Sequence, residues 1–318
     1  MKKKNFISVG RLPGMLLGTA LCTVMLLPAG CSNDNEKSMP DNDGRVALQV
    51  TGGIHVQTRA HDTEWDKNDQ IGIYMFAAGS TTALEGGENI PYKTEYGTAA
   101  FAPSGTAIYF PIDGINVDFR AWYPYEDVAE KWTADLTDQS SQAALDLMTA
   151  DAKSNTEPGG TTYNKLQPVV RLNFNHRLTK LVLNITNGNS VNIDELKGLK
   201  VEITRQWKTA LYAPDIDGLG FEEASATIAL LTKADGKFAE AILFPDDLTH
   251  KALTVGRQLV FTLTTGEVFH WDIPDTKSFN AGEKNIYTIS INRTGLDVTA
   301  SISDWNQGNG GGEPGSAE

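Results

Sequence analysis

The sequence predicts an all-β protein made of antiparallel β-sandwiches, and three observations carry that expectation. Short runs rich in β-branched and aromatic residues recur along the chain, each bounded by Gly, Pro, Asn or Asp. They follow one another at roughly 10- to 15-residue spacing with no helical pattern between them, which argues for a sandwich over βαβ units. No repeat of roughly 20–50 residues is visible, so solenoids and propellers are disfavoured. The length of 318 residues allows two ordinary domains, and 40% hydrophobic with 21% charged residues is the composition of a folded chain.

The chain begins with a basic stretch, Lys2, Lys3, Lys4 and Arg11, followed by uncharged, mostly apolar residues 15–27. That run is too short to cross a bilayer as a helix and reads as the core of a signal peptide. It ends in Leu27-Pro28-Ala29-Gly30-Cys31-Ser32, two small residues before a cysteine and then a polar segment. This resembles a bacterial lipoprotein signal, with Pro28 where the pattern usually has Leu, and implies lipid on Cys31. The other reading is a plain secretory cleavage near Gly30. With Cys22 in the leader and Cys31 lipidated, no thiol remains for disulfides, zinc or nucleophilic catalysis.

Residues 31–44 (CSNDNEKSMPDNDG) read as a flexible tether, and the fold is expected to start at Arg45. Strand-type runs follow at 46–50, 54–56, 71–76, 107–110 and 117–123. In the last of these Val117, Phe119, Ala121 and Tyr123 alternate with Asp118, Arg120 and Trp122, the period of a strand with one buried face. Residues 140–148 (SSQAALDLM) carry the one helical pattern, read as a two-turn surface helix. After the polar loop 151–162, strand patterns resume at 169–174 and 178–185. The expected division is an N-terminal domain over 45–168 and a C-terminal domain over 169–305. The second holds runs at 199–204, 226–231, 239–244, 258–264, 268–273, 286–291 and 296–302, before a Gly-rich tail, 306–318, expected to be disordered.

Catalytic patterns are missing from the sequence. His55, His61, His176, His250 and His270 have no metal-ligand spacing, and there is no GxSxG, SxxK or P-loop motif. Asp41-Asn42-Asp43-Gly44 lacks the closing glutamate of a calcium loop. His176 reads as a structural hydrogen-bonding residue at a strand end. No metal, no cofactor and no enzymatic activity are expected. A formal charge of −13 argues against nucleic acid as a partner; without the leader, 27 basic residues fall to 23 against 40 acidic ones. Trp122, Tyr123 and Trp207 could stack on sugar rings as a glycan platform, while packing in a core is the plainer account.

Several segments, in their order and spacing, resemble the fimbrillin family of Bacteroidetes surface lipoproteins. They are Thr58-Arg59-Ala60, Trp65-Asp66-Lys67-Asn68-Asp69-Gln70-Ile71-Gly72-Ile73-Tyr74-Met75, Tyr109-Phe110-Pro111 and Val117-Asp118-Phe119-Arg120-Ala121-Trp122-Tyr123-Pro124-Tyr125. Asp146-Leu147-Met148-Thr149-Ala150 and Phe174-Asn175-His176-Arg177-Leu178-Thr179-Lys180-Leu181 complete the set. The resemblance implies two transthyretin-like sandwiches of about seven strands each, joined near 174–181. It further implies cleavage after Arg59, before Ala60, with Arg45 as a weaker candidate. Cleavage would release a first strand carrying Val46, Leu48, Val50, Ile54 and Val56, and a neighbour's C-terminal strand, Leu296, Val298, Ala300 and Ile302, would replace it. The implied product is a head-to-tail polymer of fimbrial subunits at the cell surface, tied to the outer membrane by the lipid before cleavage and taking part in adhesion to a host or bacterial ligand. The alternative is a stand-alone or tip lipoprotein that binds glycans or host proteins.

Overall fold

A computed structural model describes residues 44–54, 65–94, 99–127, 131–222, 225–246, 255–304 and 312–313. Seven strands of the first half close into a barrel. They are β1 (Gln49–Ile54), β2 (Gln70–Ala77), β3 (Ile90–Thr94), β4 (Ala100–Pro103), β5 (Val117–Tyr123), β7 (Met148–Ala152) and β8 (Val169–His176), in the order β1-β4-β3-β2-β5-β7-β8. The eighth strand of this half, β6 (Trp132–Asp135), leaves the barrel. β8 shows the plain alternation of a strand with one buried face: Val170, Leu172, Phe174 and His176 point inward while the residues between them are exposed. The barrel interior is filled by these residues together with Val50, Ile54, Ile71, Ile73, Met75, Tyr92, Phe101, Phe119 and Ala121.

The second half builds a sandwich. Its strands are β9 (Thr179–Asn187), β10 (Lys200–Gln206), β11 (Thr209–Ala213), β12 (Gly218–Glu222), β13 (Ala226–Ala229), β14 (Leu231–Thr232), β15 (Phe238–Leu243), β16 (Gln258–Thr262), β17 (Val268–Asp272), β18 (Glu283–Asn292), β19 (Gly295–Asp304) and β20 (Gly312–Glu313). One sheet runs β14-β15-β9-β18-β19-β20 and the other β13-β10-β16-β17. A third, β12-β11-β6, takes its edge strand from the first half. Trp132 and Ala134 of β6 join the core of the sandwich, opposite Tyr212 and Ala210 of β11. The buried Gln139 then ties the following turn to β15: its side chain donates to the Leu136 and Ile242 carbonyls at 2.7 and 2.9 Å and accepts from the Ile242 amide at 2.8 Å.

The all-β class agrees with the sequence reading, and several details differ from it. Two ladders are parallel, β1 with β8 and β9 with β18. Each joins strands far apart in sequence, for which no hairpin sets the direction. The helix expected over 140–148 is a single turn, α1 (Gln142–Leu145), starting at Ser141 without a side-chain cap. The chain must leave it at once, because Met148 opens β7 opposite Tyr123 and His176. The runs at 46–50 and 54–56 merge: β1 continues through Thr51-Gly52-Gly53, and Val56 lies outside the described residues. Residues 107–110 contribute a single bridge, Ala47 to Tyr109, although Ile108 and Phe110 are buried. A division at 168/169 would cut β8 from the barrel it completes; the chain changes sheet between His176 and Thr179. Part of the tail expected to be disordered, β20, pairs with Ala300 and Ser301.

β2 is buried on both faces, which erases its alternation, and β5 alternates as far as Ala121 before Trp122 is buried as well. Ile71, Ile73 and Met75 face the barrel interior, whereas Tyr74, Phe76 and Trp122 pack into the sandwich core. The Trp122 indole donates to Asn89 Oδ1 at 2.9 Å, directly over Gly72. A Cβ there would meet that oxygen at 2.2 Å and the indole nitrogen at 2.4 Å, so only glycine fits. Two arginines grip the turn between β11 and β12. Arg120 donates to Asp151 at 3.0 Å and to the Asp215 carbonyl at 2.9 Å, while Arg177 donates to Asp217 at 2.6 Å and to Thr149 at 3.0 Å.

A buried ion pair closes the far part of the sandwich. Arg257 donates twice to Asp246, at 3.0 and 2.9 Å, with side-chain exposures of 3% and 5%, and lies over the Phe279 ring. Asp246 also accepts from the Phe279 amide at 2.8 Å. Removing one partner strands a buried charge. Asp246→Ala is therefore expected to lower the unfolding free energy by about 3–5 kcal/mol, read from urea denaturation, with much less lost on a surface replacement such as Glu157→Ala.

Candidate assembly site

β1 is the strand that makes the barrel a closed one. It pairs in parallel with β8 over all six of its residues, Gln49 opposite Val169 through Ile54 opposite Phe174. On its other edge it pairs antiparallel with β4 through Val50 to Phe101 and Thr51 to Ala100. Amides of Leu48, Gln49 and Gly52 add bonds to the carbonyls of Ile108, Pro168 and Ala99. Inward along this segment lie Leu48, Val50, Gly52 and Ile54, all buried. Burying three large side chains at ~1.5–3 kcal/mol each gives roughly 5–9 kcal/mol, before the cost of ordering the segment.

Gly52 sets the shape of the seat. A Cβ there would stand 2.8 Å from Phe101 and 3.3 Å from Phe174. Trp65 locks both rings, packing edge-on against each at 5.1 Å and against Tyr123 at 5.4 Å. Its indole N–H donates to the Gly52 carbonyl at 2.7 Å. The absence of a side chain at 52 thus makes room for an aromatic cluster that holds the strand from the inside.

At the end of β1 a small cavity of 140 Å³ collects Ile54, Trp65, Asp66, Asp69, Asp146 and Lys180. Burial raises the Asp69 carboxyl above its ordinary value, and the Asp66 and Asp146 charges add to that. Hydrogen bonds from the Asp66 amide at 2.6 Å and the Tyr123 hydroxyl at 3.3 Å act the other way. Burial, with the Asp69 charge beside it, pushes the Tyr123 phenol far up. His176, at the end of β8, lies with Nδ1 2.6 Å from Asp146 Oδ1 and is enclosed, the structural part expected of it. Among the described residues no group of three or more His, Cys, Asp or Glu is placed to hold a metal.

The residues singled out in the sequence fall in different places. Cys31, Val56, Arg59 and Ala60 lie outside the described residues. Val46 packs on the edge of the barrel core, with Leu48, Val50 and Ile54 inside it. Leu296, Val298, Ala300 and Ile302 lie on β19, paired residue by residue with β18. Leu296 and Val298 are buried there, while Ile302 is 37% exposed. Trp122, Tyr123 and Trp207 are 0%, 8% and 5% exposed and leave no ring face open to a sugar, so the glycan platform is corrected to core packing. Sequence reading overlooked Gly52, Phe101 and Phe174 as parts of one seat. The available signal was a Gly-Gly pair inside an alternating apolar run, which marks close approach by another group.

Gly52→Val is expected to destabilise the barrel by ~1–3 kcal/mol through overpacking, seen as a lower thermal midpoint, while Gly53→Val is tolerated better because nothing lies within 4 Å of a Cβ there. The pH dependence follows from Asp69. Its folded-state pKa is raised, so its contribution to stability is complete below the unfolded value and is lost as pH rises through the folded value. The stability of the wild type relative to Asp69→Asn should therefore be greatest in acid and decline as the pH rises through the raised folded-state value, measured by thermal melts at a series of pH values.

Residues 58–305 match the profile of the family described as Fimbrillin-like. A Bacteroides uniformis protein named as fimbrium subunit Fim1C is 38% identical over 312 residues, covering 94% of this chain and 97% of its own length. A crystal structure from Bacteroides uniformis, of a protein assigned to cell adhesion, superposes with a TM-score of 0.68 at 32% identity, over 83% of this chain and 99% of that one. Another, from Bacteroides ovatus, gives 0.63 at 19% identity over 82% and 98% of the two chains, a likeness of fold. With the profile covering most of its length and a relative aligned nearly end to end, this chain belongs to the fimbrillin-like family, which is structural rather than enzymatic.

Proposed function

We propose that this chain is a structural subunit of a fimbrium at the cell surface, contributing to adhesion. It is exported as a lipoprotein on Cys31, cleaved after Arg59 and polymerised by strand exchange with other subunits. The observation that supports this most is the position of β1: among the described residues it is the one strand that joins β4 to β8. In sequence it stands between Cys31 and Arg59. A cut after Arg59 separates it covalently from Trp65 and everything beyond, so that only non-covalent contacts hold it. Its departure would leave two open edges and an apolar slot beneath Phe101, Phe174 and Trp65, a surface that favours another strand over water. In this reading the two domains meet between His176 and Thr179, the first accepting a strand and the second supplying one from β19.

The test uses a recombinant chain of residues 32–318, treated with an Arg-specific protease and followed by intact mass and a denaturing gel run without boiling. A single cut after Arg59 and a ladder of oligomers are expected, with both lost in Arg59→Ala. A cut chain that stays monomeric would overturn strand exchange, and a ladder from uncut Arg59→Ala would overturn cleavage as its trigger.

A further inference from the structure

The strand that fills the barrel and the strand near the end of the chain carry the same inward series. Residues 48–54 read LQVTGGI and residues 296–302 read LDVTASI, identical at four of seven positions. Toward the core the first presents Leu48, Val50, Gly52 and Ile54; at alternate positions along one face the second carries Leu296 and Val298, which are buried, then Ala300, which is half-buried, and Ile302, which is exposed. Both series place large, large, small and large in that order. Among the described strands of seven residues or more, the other one with Gly or Ala third in such a set is β5, and its Phe119 and Tyr123 are aromatic where the seat takes Val and Ile.

We infer that β19 of a second copy takes the place of β1 in one register, with Leu296 at the site of Leu48, Val298 at Val50, Ala300 at Gly52 and Ile302 at Ile54. This rests on the strand-exchange reading above and specifies its partner and alignment. The third position decides the register. A Cβ at residue 52 stands 2.8 Å from Phe101 Cε2, so the methyl of Ala300 enters with a small yield of that ring. A shift by two residues brings Val298 or Ile302 under Phe101 and Phe174, where a branched side chain has no room. A shift by one turns Asp297, Thr299 and Ser301 into the core. The exchange also covers Ile302, which is 37% exposed in its own sheet, at a site where Ile54 is 8% exposed.

The register can be read chemically, because the chain of residues 32–318 contains neither Cys22 nor Cys31 and has no other cysteine. Thr51 lies opposite Ala100 of β4, so Thr299 of the incoming strand should lie there too. After cleavage and mild oxidation, Thr299→Cys combined with Ala100→Cys should give a disulfide-linked ladder. Asp297→Cys or Ser301→Cys with Ala100→Cys should not. As a steric test, Ala300→Leu should slow assembly at least roughly tenfold and Ala300→Gly should assemble like the wild type. Thermal melts of the uncut monomers would verify that each variant folds. Linkage through residue 297 or 301, or assembly of a folded Ala300→Leu at the wild-type rate, would overturn the register while leaving strand exchange standing. No ladder from the cut wild type would remove both.

Discussion

Closure of the barrel depends on a strand of six residues held between two edges that do not otherwise meet. β4 pairs with β3 on one side and β8 with β7 on the other, and β1 supplies the remaining edge of each. Its hydrogen bonds satisfy backbone groups that would otherwise face solvent, and its inward side chains complete the apolar interior. β1 is thus held by two ladders and by its inward apolar side chains together.

The packing around Gly52 gives that arrangement its selectivity. Most of a β-sheet seat accepts any residue of about the right volume. At this position, however, Phe101, Phe174 and Trp65 converge on a backbone with no side chain, and the Trp65 indole bonds to its carbonyl. The same aromatics that hold β1 in place would read the third apolar position of any strand that replaced it. Shape and hydrogen bonding therefore act together at one point, whereas the rest of the ladder supplies affinity with little discrimination.

The sandwich is joined to the first half both by side chains and by the short sheet that β6 forms with β11 and β12. Tyr74, Phe76 and Trp122 turn from the outer face of the barrel into the sandwich core, and β6 crosses to pair with β11. Arg120 and Arg177 fix the β11–β12 turn against β5, β7 and the end of β8. Buried apolar side chains and these hydrogen bonds both contribute to the contact.

The sequence by itself determined the strand class, the strand run over 169–174, and the lack of catalytic or metal-binding patterns, because these follow from local periodicity and residue chemistry. It also displayed Leu48, Val50 and Ile54 as an apolar series. What it could not settle was which faces would be covered. Trp122 looked outward from an alternating strand and is fully buried, since a second core packs against the outside of the barrel. α1 stopped after one turn because Met148 was required in β7, and β6 joined the other half because its partner, β11, is distant in sequence. Only the tertiary structure decided these matters, and parallel pairing of β1 with β8 likewise. Each depends on contacts between segments far apart in the chain, which local pattern does not encode.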